Sequence, residues 1–192
     1  MKHNIYHLIS NYIPYNEQEE VDKNYMLNFI QTFDDVLTRN NIYGHFTASA
    51  FVVNEDFTKT LLVKHNIFGG YIYPGGHADG ETDFKQVAIR EVFEETGVNA
   101  VPYFDEIFAI QSEGVHGHIK KGKYVNSHTH HDILYLLVVK NEDMDKIKIE
   151  KSENSDVVWR DLNDCYGNDV VNWAQNINKK IVDKLISLNL AK

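Results

Sequence analysis

Residues 75–98 constrain this chain more than any other stretch. Two glycines and a short acidic loop, Gly75-Gly76-His77-Ala78-Asp79-Gly80-Glu81-Thr82-Asp83, lead into a segment ending Arg90-Glu91-Val92-Phe93-Glu94-Glu95-Thr96-Gly97-Val98. The spacing predicts a helix over 83–96, with Asp83 as cap and Gly97 as stop. At ~100° per residue, Glu94 and Glu95 fall near −60° and about +40° from Glu91, so three carboxylates share one arc. Ala88, Ile89, Val92 and Phe93 take roughly the opposite side and are expected to face a core, while Phe84 and Val87 fall nearer the acids. Like charges at i, i+3 and i+4 destabilise an isolated helix. The stretch therefore reads either as a solvated acidic face, partly neutralised by Lys85 and Arg90, or as a ligand set for a hard, oxygen-seeking dication such as Mg²⁺.

The same residues resemble the signature box of the Nudix hydrolases, Gly-x5-Glu-x7-Arg-Glu-apolar-x-Glu-Glu-x-Gly-apolar. Gly76, Arg90, Glu91, Val92, Glu94, Glu95, Gly97 and Val98 stand at the matching positions. Six of these are fixed residue types, so chance agreement at one start is roughly 10⁻⁷. One position departs: Thr82 stands where the box expects its first glutamate, and Glu81 comes one residue early. Either Glu81 reaches the same place across a shorter loop, or the role is lost or passes to Asp79 or Asp83.

The resemblance implies an α/β fold, a Nudix-like α/β/α sandwich with a mixed sheet, over residues 45–192. Residues 1–44 then form an N-terminal extension with an extra amphipathic helix. It also implies Glu91, Glu94 and Glu95 as ligands of Mg²⁺ or Mn²⁺, one of them also a candidate base for the attacking water. Arg90 would hold a box carboxylate by a two-pronged ion pair, and Gly75 and Gly76 would permit a sharp turn. Glu91, Glu94, Arg90 and Glu95 are thus the expected catalytic residues. The expected reaction is metal-dependent hydrolysis of a diphosphate linkage in a nucleoside diphosphate derivative or related small molecule. Two other readings stay open: a non-catalytic nucleotide-binding sensor on the same fold, favoured by the displaced glutamate, and an isoprenyl diphosphate isomerase. The isomerase usually wants a catalytic cysteine, and Cys165 is far from the box.

Charge points the same way. Nineteen Lys and Arg against 28 Asp and Glu give a net −9, with no basic block, which argues against a nucleic-acid polymer as partner. A phosphorylated substrate would be repelled by that field unless a dication mediates. The longest apolar run, Ile133 to Val139, is too short to span a bilayer. No secretory signal is visible, and the lone Cys165 reads as buried filler suited to a reducing cytoplasm.

Outside the box, residues 1–16 read as an irregular lead-in. Val21, Tyr25, Phe29 and Phe33 recur every four residues, predicting one helix over 17–39 capped by Asn16 and able to serve a homodimer. Phe46–Val53 and Thr60–Lys64 read as a hairpin, and Ile67–Gly76 as a strand fragment between glycine pairs. Further strands are expected within 99–111, at 132–140 and around 157–160, with a closing helix in 167–190. Trp159 reads as core.

Five histidines crowd 116–131: His116, His118, His128, His130 and His131. An extended chain puts His128 and His130 on one face and Thr129 and His131 on the other. Three uses compete: a grip on substrate phosphate by His77, His128, His130 and His131; a transition-metal site; or a mobile loop alongside Lys120, Lys121 and Lys123. Glu106 and Glu113 are candidates for a further metal ligand or base.

Overall fold

The computed structural model describes residues 2–120 and 122–192, so Lys121 lies outside the described residues. In chain order the elements are α1 (Lys2–Asn11), α2 (Glu17–Thr32), β1 (Gly44–Asn54), β2 (Lys59–His65), β3 (Tyr71–Ile72), β4 (Gly75–His77) and α3 (Phe84–Thr96). They continue as β5 (Val101–Pro102), β6 (Ala109–Val115), β7 (His118–Lys120), β8 (Lys123–Val125), β9 (His128–Val139), β10 (Asn154–Asp161) and α4 (Asn172–Ser187).

Strand β1 is buried along all eleven of its residues. It runs parallel to β9 from Gly44↔Thr129 to Asn54↔Val139, and antiparallel to β2 and β4 on its other edge. The mixed sheet has the order β10-β2-β1-β9-β5, with β3 on β2, β4 on β1 and β6 on β9. Alternation along β1 sorts the two faces. Phe46 packs on Phe84 of α3 and Phe29 of α2, at 5.6 and 6.4 Å between ring centres. Thr47 and Ser49 point the other way and donate to the Asp132 carboxylate. On that side α4 brings Lys180 to Gln111 and Trp173 to Tyr73. Helices therefore cover both faces, the expected α/β/α sandwich.

Three expectations are corrected. The lead-in is helical: α1 buries Ile5 and Ile9 in the same core as the sheet, so the first 44 residues are not packed as a separate body. Helix α2 stops at Thr32, and Val36 and Leu37 are buried in an irregular turn, where Asp35 accepts from the N–H groups of Leu37 and Thr38. Its buried face is Glu19, Met26, Phe29 and Ile30, with Val21 and Tyr25 exposed. A spacing of four drifts by ~40° per step, so a stripe from 21 to 33 winds about a third of the way round the helix. On α3, likewise, Phe93 is exposed and Phe84, Val87, Ala88, Val92 and Glu95 are buried, which turns the core face towards the acids. Within the histidine-rich connection β7 and β8 pair as a small hairpin.

A buried ion pair fastens the N-terminal helices to α4. The fully buried Glu19 carboxylate accepts from Tyr12 Oη at 2.6 Å and the Tyr15 N–H at 2.8 Å, and lies 2.9 Å from Lys180 Nζ. Burial pushes the Glu19 carboxyl up, but Lys180 and these hydrogen bonds outweigh it and leave it below its ordinary value. Removing one partner strands the other charge. Lys180→Met should therefore cost about 3–5 kcal/mol in urea denaturation, and adding Glu19→Gln should recover part of that. A loss below about 1 kcal/mol would show that the pair does not fasten these helices.

Candidate active site

Strand β4 positions the site. It lies antiparallel to β1 with Gly76 opposite Ala48 and Gly75 opposite Ser49. A Cβ on Gly75 would sit 2.5 Å from Ser49 Cβ, and one on Gly76 would sit 2.3 Å from the Glu91 carboxylate. Neither glycine has a positive φ; the turn falls later, at Asp79 (φ 46°) and Gly80 (φ 97°). The expectation of a sharp turn at 75–76 is thus corrected: these glycines make room, Gly76 for a carboxylate against the backbone.

Helix α3 then delivers its acids. Asp83 accepts from the Gln86 N–H, and Gly97 closes the helix at φ 72°, as the sequence predicts. The three glutamates differ in exposure. The Glu94 side chain is 59% exposed, Glu91 is 17%, and Glu95 is 3% as a residue. Glu95 accepts from the Gly75 N–H at 3.1 Å and from Asn154 Nδ2 at 3.2 Å. Burial, with Glu94 adding to it, pushes the Glu91 carboxyl up to about 7; burial pushes Glu95 up to about 8.

The displaced box glutamate finds its place. Arg90 holds Glu81 by two contacts, Nη1 to Oε2 at 3.0 Å and Nη2 to Oε1 at 2.8 Å, and lies 3.9 Å from both Glu91 and Glu94. Asp79 pairs with Arg39, and Asp83 caps α3.

Sequence reasoning missed Glu153, whose charge raises the pKa of both Glu91 and Glu95. In sequence it sits in a Lys- and Glu-rich stretch that looks like any solvated loop. The two candidates lie elsewhere: Glu113 faces Asp22, Asp132 and Lys180, and Glu106 lies near Lys85. The box acids offer hard oxygen donors of the kind a divalent cation of the Mg²⁺ class prefers, although among the described residues only His45, His128 and His130 bring three donor atoms within 4.8 Å of one another.

The histidines divide as alternation predicts. His128 and His130 join His45 of β1 and His77 of β4 on the face opposite Gly76, with neighbouring ring centres 4.9–5.1 Å apart. His45 went unnoticed in the sequence, although its parity with Thr47 and Ser49 marks the polar face of β1. His131 points the other way, fully buried among Tyr25, Phe29 and Phe46, with Nδ1 2.9 Å from Ser112 Oγ. It packs there rather than lining the cluster. Burial pushes His45 down to about 4 and His77 and His131 to about 3, and lowers His130 further. These four rings are uncharged near neutral pH, so the expected phosphate grip has no positive charge to offer from them.

Comparison with known proteins agrees with this geometry. The NUDIX domain profile matches residues 44–185. No curated protein sequence matches significantly. A NUDIX-family hydrolase from Clostridium perfringens is similar in structure, with 21% identity over 73% of this chain and 97% of that one, at a TM-score of 0.51. So is the NUDIX domain of Shewanella oneidensis NrtR complexed with ADP ribose, with 18% identity, 82% and 97% coverage and a TM-score of 0.55. A C. elegans Ap4A hydrolase in a binary complex follows, at 19% identity, 74% and 96% coverage and a TM-score of 0.50. The chain belongs to the NUDIX domain family, and its class is that of the Nudix-type pyrophosphohydrolases.

The raised carboxyls carry a signed pH dependence. In the metal-free protein Glu95 is charged in both folded and unfolded states at about pH 9, where its burial costs most. That cost vanishes as pH falls through the folded value towards 4.5. Glu95→Gln should therefore stabilise the metal-free protein by on the order of 3 kcal/mol at about pH 9 and by almost nothing near pH 5, measured by thermal denaturation across pH. An offset that does not change with pH would contradict the buried, proton-hungry carboxyl.

Proposed function

We propose that this chain hydrolyses a diphosphate linkage in a small nucleoside diphosphate derivative, with Mg²⁺ or Mn²⁺ held by Glu91, Glu94 and Glu95. The observation that carries this reading is the Glu91 carboxylate pressed against Gly76 beside Glu95, with both carboxyls raised and Glu153 close by. Repulsion among these acids is relieved in part by Arg90 and by protons on the raised carboxyls, and a dication would take the place of those protons. When bound, the dication neutralises diphosphate oxygens and lowers the pKa of a water for in-line attack at phosphorus.

The chain's own residues divide the remaining tasks. Arg90 keeps Glu81 in the loop by its paired contacts and stands between Glu91 and Glu94. The Gly75 N–H and Asn154 orient Glu95, and Glu94 remains open to solvent. The two structural neighbours, a NUDIX domain complexed with ADP ribose and an Ap4A hydrolase, support a nucleoside diphosphate group as the substrate class. The sensor reading draws on the displaced box glutamate; the contact of Glu81 with Arg90 supports the hydrolytic reading over it. The buried thiol of Cys165, pushed up to about 12 by burial, suits a reducing compartment such as the cytoplasm and is no nucleophile.

A panel of nucleoside diphosphate derivatives, assayed for phosphate or nucleoside monophosphate release with Mg²⁺ and with Mn²⁺, tests the proposal. At least one should turn over, and Glu91→Gln and Glu94→Gln should each lower kcat by roughly 10²-fold or more. No turnover across the panel, or full turnover in both variants, would overturn it.

A further inference from the structure

The imidazole cluster lies on the sheet face opposite the carboxylates and has no part in the chemistry above. Thr47 and His77 face each other across β1 and β4, one register step from the Ala48–Gly76 pair that turns towards Glu91. The ring nitrogens of His45, His128 and His130 lie within 4.8 Å of one another, each ring offering one donor atom. His77 stands beside them, its ring centre 5.0 Å from that of His45 and 4.9 Å from that of His130.

Two features of these rings suit a shared ion. His45 is 3% exposed, and neither ring nitrogen makes a hydrogen bond of good geometry among the described residues, although the Asn41 backbone lies close enough to favour its protonated form. A buried polar ring left unsatisfied is costly, and such groups ordinarily find a partner. His128 is oriented for ligation. Its Nδ1 lies 2.8 Å from the Asn126 carbonyl oxygen, which can only accept, so that nitrogen carries the proton and Nε2 presents a lone pair. Ligating histidines are ordinarily held in this way by an outer carbonyl or carboxylate. That Nε2 lies 3.1 Å from His130 Nε2. Two nitrogens bound at 2.0–2.1 Å to a tetrahedral ion stand about 3.3 Å apart, so this spacing is nearly that of a shared ion.

We propose that His45, His128 and His130 form a three-imidazole site for a zinc-class dication (Zn²⁺, Co²⁺ or Ni²⁺), with a solvent water at the fourth position. Imidazole donors favour such borderline ions over Mg²⁺, whose preference for oxygen belongs to the acids on the other face. The ion ties together the starts of β1 and β9. It stands independently of the hydrolytic reading, since no glutamate takes part.

Cobalt(II) titration of the full chain, followed by visible absorption, with zinc stoichiometry measured separately, tests this. One equivalent should bind with the intense d–d band of a tetrahedral centre, and zinc should displace it. His128→Gln, at a half-buried strand end, should weaken binding tenfold or more, and a Glu91→Gln/Glu94→Gln protein should keep the band. A wild-type chain without the tetrahedral band overturns the site, and this outcome needs no variant to fold. Binding that survives His128→Gln, or that disappears with the glutamates, overturns it too. In either case the direct His128–His130 hydrogen bond, or the acids, account for the observations.

Discussion

The contact between the backbone at Gly76 and the Glu91 carboxylate is the constraint on which the rest depends. No side chain fits between them. With β4 laid along β1 at that distance, Glu91 and Glu95 in the second half of α3 are shielded from water while Glu94 stays exposed. Glu95 shows the consequence most clearly. It receives a backbone N–H and an amide, yet burial still holds its carboxyl well above the ordinary value. Buried carboxyls with strongly raised values of this kind cluster at functional sites, which is the ground for the proposed dication.

The sandwich makes that crowding affordable and divides the chemistry between its faces. Side chains alternate on β1, so Phe46 and Ala48 serve the core under α3 while His45, Thr47 and Ser49 face the α4 side. The oxygen cluster and the nitrogen cluster thus lie back to back at one end of the same strands, without sharing a ligand. The N-terminal helices belong to this arrangement. Through Glu19 they reach α4, and through Arg39, in the connection that follows, the chain reaches Asp79 of the box loop.

What could be read from the sequence was whatever is local. The caps of α3, the box spacing, the hairpin and the face alternation of His128 against His131 depend on neighbours a few residues away, and each is found in the structure. What escaped depends on distant partners. Glu153 and Asn154 meet the acids only because β10 joins the sheet edge beside β2, and nothing in residues 148–154 signals that. The buried face of α2 is chosen by α1 and β6 rather than by its own four-residue stripe. The Arg90–Glu81 pair compensates a one-residue shift that no motif can resolve, because it depends on the reach of a side chain.

The central claim is that two raised carboxyls await a dication, and proton release measures it directly. Ligation requires bare carboxylates, so Mg²⁺ binding near pH 7 must expel protons held by Glu91 and Glu95. Calorimetric titration of the chain with Mg²⁺, run in two buffers of different ionisation enthalpy, should show release of about one proton per ion near neutral pH, fading towards about pH 9. Binding without proton release at any pH, or no binding at all, would contradict the account.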